Sequence, residues 1–62
     1  MTLSQKEVKN MKIVREGHSS YGKCWIEDHG SYYMVYTMDG RSQNGPFSTL
    51  ADAMEFFSHY CL

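Results

Sequence analysis

The strongest constraint in this sequence is a single amphipathic stripe at its C-terminal end. Leu50, Ala53, Met54, Phe57 and Tyr60 recur at helical spacing, which puts them on one face of a helix. Thr49 precedes the stripe as an N-cap whose hydroxyl can accept from an otherwise orphan backbone N–H, and Asp52 completes an imperfect capping box. Asp52 and Glu55 sit in the first turns, where the helix dipole favours negative charge. Pro46 marks where the preceding strand must stop. The pattern predicts a helix from Leu50 to Tyr60, with Phe57 facing the core. Phe56 lies about 100° round, at the core's edge or in a dimer contact.

A helix this short needs a partner layer, and the residues before it supply strands. Lys23–Glu27 and Tyr32–Met38 are rich in aromatic and β-branched side chains, separated by Asp28-His29-Gly30-Ser31. Gly30 offers the positive φ that a short hairpin with a bulge needs. Asp39-Gly40 suits a two-residue type I′ turn, leading to a short strand over Arg41–Asn44 that Gly45-Pro46 ends. The fold class expected is α+β: an antiparallel meander of three or four strands packed on one C-terminal helix, in the order β-β-β-α. A chain of 62 residues buries only about 60% of the surface its unfolded form exposes, so a single domain is expected over 1–62. Within it, 1–16 is an N-terminal helix or strand segment, 22–44 the meander and 49–60 the helix.

The leading segment reads two ways. Ser4-Gln5-Lys6-Glu7 fits a capping box, Leu3 can staple onto Val8, and Gly17 can serve as a C′ glycine, giving a helix from Gln5 as far as Glu16. Ile13 and Val14 within Lys12–Glu16 instead suit a strand paired with the Trp25 strand, after a short helix ending at Asn10.

Composition excludes several classes. No apolar run approaches the roughly 18–20 residues of a membrane span, so a soluble chain is expected. The net charge of −1 with 42% hydrophobic residues is not a disorder composition. Residues 1–23 carry five basic side chains against two acidic, whereas residues 24–62 carry Arg41 alone against five acidic. A nucleic-acid contact would therefore have to use Lys6, Lys9, Lys12, Arg15 and Lys23, since duplex affinity comes largely from phosphate neutralisation.

The potential ligands His18, Cys24, His29, His59 and Cys61 lack the tight knuckle spacing of structural zinc sites, so no metal or other cofactor is expected. Cys24 is expected in the core of its strand, and a Cys24–Cys61 disulfide is disfavoured in a reducing compartment. Cys24 with His29 or His18 would be a nucleophile–base pair lacking an orienting third group. Asp28 and Asp39 flank turns, where capping outweighs acid–base work. No enzyme is expected.

Aromatics are the informative feature: one tryptophan, five tyrosines and three phenylalanines. If Cys24, Ile26, Tyr33 and Val35 pack inward, Trp25, Tyr32, Met34 and Tyr36 are left outward, or the two sides are exchanged; either way an apolar surplus remains. Such side chains are enriched in interface cores. Trp25, Tyr32, Met34, Tyr36 and Phe56 are thus the candidate partner-binding residues, for a protein partner or for a second copy of the chain. The alternative is that the leading segment covers this face.

Three strands and a terminal helix resemble the DNA-binding domains of phage-type integrases and, with an N-terminal helix, double-stranded RNA-binding domains. The lysine cluster that opens the last helix of the RNA-binding family is replaced here by Ser48-Thr49-Leu50-Ala51-Asp52-Ala53, so nucleic acid is a secondary reading. The Met-Thr-Leu-Ser opening, the His-Gly-Ser-Tyr-Tyr and Met-Asp-Gly-Arg hairpins and the Gly-Pro-Phe-Ser-Thr-Leu-Ala-Asp-Ala helix entry resemble small early-region accessory proteins of lambdoid temperate bacteriophages. That resemblance implies a protein of the host cytoplasm, dispensable for growth, that tunes host physiology or phage development. It carries over no functional residues.

Overall fold

The computed structural model describes residues 12–61. Four strands form one antiparallel sheet in sequential order: β1 (Lys12–Ser19), β2 (Gly22–Asp28), β3 (Tyr33–Thr37) and β4 (Ser42–Phe47). Helix α1 (Leu50–Tyr60) follows and lies across one face. The expected α+β meander with a C-terminal helix is thus the observed architecture, in its four-stranded form. The strand reading of Lys12–Glu16 holds, and β1 pairs with the Trp25 strand through Glu16↔Trp25 and Gly17↔Cys24. Gly17 is accordingly a strand residue and not the C′ glycine of a helix. The short helix expected ahead of it lies outside the described residues.

Alternation sorts the side chains. Cys24 and Ile26 of β2 and Val35 of β3 point to the helix face and are buried, as are Ala53, Phe57 and Cys61 from α1 and its C-cap. Tyr33, Phe47, Met54 and Phe56 pack around them. Arg15 adds a lid: its guanidinium carbon sits 5.4 Å from the centre of the Phe57 ring, within cation–π range. The stripe on α1 is narrower than its spacing suggested, because Leu50 and Tyr60 overhang the sheet and are exposed. Thr49 caps the helix as expected, accepting from the Asp52 N–H at 3.1 Å.

Two connections differ from expectation. Thr37↔Ser42 is the last pair of β3–β4, so the turn holds four residues and not two. It contains a 3-10 turn, Met38–Gly40, with φ positive at Met38, Asp39 and Gly40. The Asp39 carboxylate accepts from the Lys23 N–H at 2.8 Å, a long-range tie that a tighter turn would not make. Strand β4 then runs through Gly45-Pro46, whose peptide bond is cis, to Phe47. Proline is tolerated because β4 is an edge strand with no ladder partner beyond it. The opposite edge, β1, carries a bulge: the register shifts between Ile13 and Arg15, leaving Val14 as the extra residue.

The sulfur atoms of Cys24 and Cys61 are joined as a disulfide across a Cα–Cα distance of 6.4 Å. This overturns the expectation that the cysteines stay unpaired. Their spacing of 37 residues held no hint of it. The meeting arises because α1 crosses the sheet towards β2 and its C-cap ends above Cys24. In a core of six buried residues the bridge accounts for two. Closing a loop of 37 residues stabilises by about 4 kcal/mol in the chain-entropy account, comparable to the whole margin of a small domain. Thermal unfolding followed by circular dichroism should therefore lose most of its cooperative transition near room temperature once a phosphine reductant is added. An unchanged midpoint would show that the bridge contributes little.

Candidate functional site

The helix leaves the other face of the sheet without a covering element among the described residues. On it stand Trp25 and Glu27 of β2 and Met34 and Tyr36 of β3, with Glu16 paired beside Trp25. Trp25 and Tyr36 are cross-strand partners, and their rings stack with centroids 5.4 Å apart and planes 14° from parallel. Offset aromatic pairs of this kind add about 0.5–1.5 kcal/mol beyond the area they bury. The indole also lies against the backbone of Gly40, where an added Cβ would come within 2.8 Å of the ring. That close approach needs glycine twice over, since φ is +91° there.

Glu27 organises this face. Its Oε2 accepts from the Trp25 indole N–H at 2.9 Å, and its Oε1 lies 3.0 Å from His29 Nε2. The His29 ring in turn packs on Tyr32, with centroids 4.9 Å apart. Burial, then the Glu27 charge and its hydrogen bond with the phenol, raise the Tyr36 pKa above its ordinary value of 10.0. The loop that delivers His29 and Tyr32 is fixed locally. Asp28 accepts from the Gly30 N–H at 2.8 Å, and the His29 N–H donates to the Tyr32 carbonyl at 2.9 Å. Asp28 is thus a turn cap, as its position suggested.

Beside Trp25, on the β1 side, opens a depression of about 500 Å³ lined by Ile13, Glu16, His18, Lys23 and the indole itself. Ile13 is 51% exposed, so the depression combines apolar walls with the Glu16 carboxylate and the Lys23 ammonium.

Of the five candidate partner-binding residues, Trp25, Tyr32, Met34 and Tyr36 come together here, while Phe56 does not. It lies in the helix layer, its ring 5.4 Å from Phe47 and 4.6 Å from Tyr60, at the edge of the core. The four outward side chains are half-buried rather than free, because the rings lie on one another and on Glu27. Glu27 itself was missed. Its place between Trp25 and His29 in register could have flagged it, since alternate strand residues share a face. That the leading segment covers this face is a matter for residues outside those described.

The basic set is split by the sheet. Lys12 and Arg15 pair with Asp28 and Ile26 at register positions of the helix face, whereas Lys23 is on the aromatic face; Lys6 and Lys9 lie outside the described residues. Among the described residues no three His, Cys, Asp or Glu side chains gather as a metal site, and no helix is long and apolar enough to cross a membrane. No protein-family model matches the chain, and neither do curated proteins nor solved structures. Function must therefore be argued from the geometry.

Two outcomes follow from this arrangement. Glu27→Gln removes a negative charge from beside the phenol, so the Tyr36 pKa should fall towards 10.0 but stay above it, because burial is the larger cause. Because the chain has five tyrosines that overlap in the ultraviolet, the 13Cζ shift of Tyr36 followed through a pH titration by NMR reads this. Since the folded state holds the phenolic proton more tightly than the unfolded, the Tyr36 contribution to stability is complete below about pH 10 and is lost as pH rises further. Gly40→Ala should destabilise the domain by about 1–3 kcal/mol and alter the Trp25 emission, whereas Gly30→Ala, with open space around it, should leave the emission unchanged.

Proposed function

We propose that this protein is a non-enzymatic interaction module that docks a basic segment of a protein partner on the Trp25 face. The observation that carries this reading is the Trp25–Tyr36 stack, held by Glu27 and flanked by the Glu16-lined depression. The rings are already ordered, so little side-chain entropy is lost on contact, and aromatic anchors of this kind dominate interface energetics. Charge narrows the partner's chemistry: Glu16 and Glu27 flank the indole and outnumber Lys23 on the same face, and residues 24–62 carry one basic against five acidic side chains. A lysine or arginine of the partner gains from both the carboxylates and the ring face.

The resemblance of the hairpin and helix-entry segments to phage early-region accessory proteins supports a role in modulating host physiology or phage development through a host or phage protein. That resemblance favours the cytoplasm of the host cell. The Cys24–Cys61 bridge weighs the other way, because disulfides persist chiefly in oxidising compartments. It also ties up both thiols, which removes the nucleophile of a Cys–His pair and favours a binding role over catalysis.

Selection from a random peptide library on the immobilised protein, followed by titration of Trp25 fluorescence, tests this reading. Selected peptides should be enriched in lysine or arginine, shift the emission on binding, and lose affinity about tenfold or more with Trp25→Ala. Glu16→Lys, at an exposed position, should weaken them without affecting the fold. Peptides without basic enrichment, or equal binding to a folded Trp25→Ala protein, would overturn it.

A further inference from the structure

On the opposite side of the molecule the helix leaves one corner of its own sheet face bare. The core residues Ile26 and Val35 are covered, but the inward positions nearer the hairpin turns are Thr37 and Ser42, a cross-strand pair, and Asn44, opposite Val35. They floor a groove of about 550 Å³, within the range of small-ligand sites. Its walls are aromatic and far more exposed than the Trp25 face. Tyr21, in the turn between β1 and β2, is 72% exposed, and Tyr60, at the end of α1, is 60% exposed.

Both walls and floor are held in place. Ser19 Oγ accepts from the Tyr21 N–H at 3.1 Å and donates to the Gly22 carbonyl at 3.4 Å, fixing the turn that presents Tyr21. The Tyr60 ring rests on Phe56 at 4.6 Å. Asn44 Nδ2 donates to the Val35 carbonyl at 3.2 Å, which orients the amide and leaves its oxygen and second hydrogen for another partner. His59 completes the rim.

Charge decides the ligand class. In a chain with 21% charged residues, no Asp, Glu, Lys or Arg is found among the described residues that line this groove. A phosphorylated, sulfated or carboxylate ligand would find no counter-charge there, and a purely apolar one would leave the hydroxyl and amide floor unpaired, at a cost of about 1–3 kcal/mol for each buried group. A ligand with apolar C–H faces and many neutral hydroxyls satisfies both surfaces. We propose that this groove binds a neutral saccharide, whose pyranose faces stack on Tyr21 and Tyr60 and whose hydroxyls exchange hydrogen bonds with Thr37, Ser42, Asn44 and His59. The site is separate from the Trp25 face and stands or falls independently of it.

Amide correlation spectra of the 15N-labelled full chain test the proposal. The probes are maltopentaose, cellopentaose and N-acetylchitotetraose, each taken to about 10 mM, which brings dissociation constants in the millimolar range within reach. At least one should shift the amides of Ser19–Tyr21, Thr37–Asn44 and Phe56–Tyr60 saturably, while the Trp25 indole signal stays in place. Tyr21→Ala and Tyr60→Ala, both at exposed positions that spare the core, should each weaken binding about tenfold. Decaproline and a heparin tetrasaccharide serve as the contrasting ligands. Saturable shifts from either of these alone, no response to any neutral sugar, or a response that survives both tyrosine substitutions would overturn the assignment.

Discussion

Everything in this domain depends on how α1 is held to the sheet. Phe57 and Ala53 cover Ile26 and Val35, Arg15 closes over the Phe57 ring, and the Cys24–Cys61 bridge fastens the end of the helix to β2. Among the described residues six are buried, few for a stable core. The covalent tie therefore carries a share that a larger protein would assign to packing. It holds the C-cap of the helix on β2, and the way the helix lies determines which part of its own sheet face stays uncovered. Among the described residues the corner of the sheet near the turns and the opposite face are left over, and the two candidate sites occupy these two areas.

The faces differ in how they manage their aromatic rings. On the Trp25 face the rings are packed on one another and polar tips are absorbed by Glu27, which also holds the Tyr36 phenol neutral to higher pH. On the groove side Tyr21 and Tyr60 project, each backed by a local contact rather than by a network. The first arrangement is a rigid, weakly acidic platform; the second is a pair of projecting rings over a neutral polar floor. Such different surfaces suit ligands of different chemistry.

Much of the fold was legible in the sequence because local signals and tertiary needs agreed. The stripe from Leu50 to Tyr60 with Thr49 as cap gave the helix with its observed ends. Alternation grouped Cys24, Ile26, Tyr33 and Val35 on one face and Trp25, Met34 and Tyr36 on the other, and the docked helix decided which of the two is buried. Failures came where a distant partner decides the local geometry. Asp39-Gly40 reads as a tight turn until the Lys23 N–H and the Trp25 ring are brought beside it. The disulfide depends on the crossing angle of the helix, which no spacing encodes. Glu27 was not singled out because its three partners come from two strands and a loop. The groove was invisible for the same reason: Tyr21 and Tyr60 are 39 positions apart in the chain and share a wall only once the helix has docked.

The two rims of the sheet have a bearing on how copies of this chain can meet. Val14 interrupts the outer ladder of β1, and Pro46 offers no N–H on β4. Among the described residues both edge rows of main-chain groups are thereby interrupted, near the start of β1 and near the end of β4. A neighbouring molecule could therefore pair only with the shorter stretches 15–19 or 42–45, and not through the greasy Ile13 and Val14 in one unbroken ladder. Contact between copies is accordingly favoured flat side to flat side.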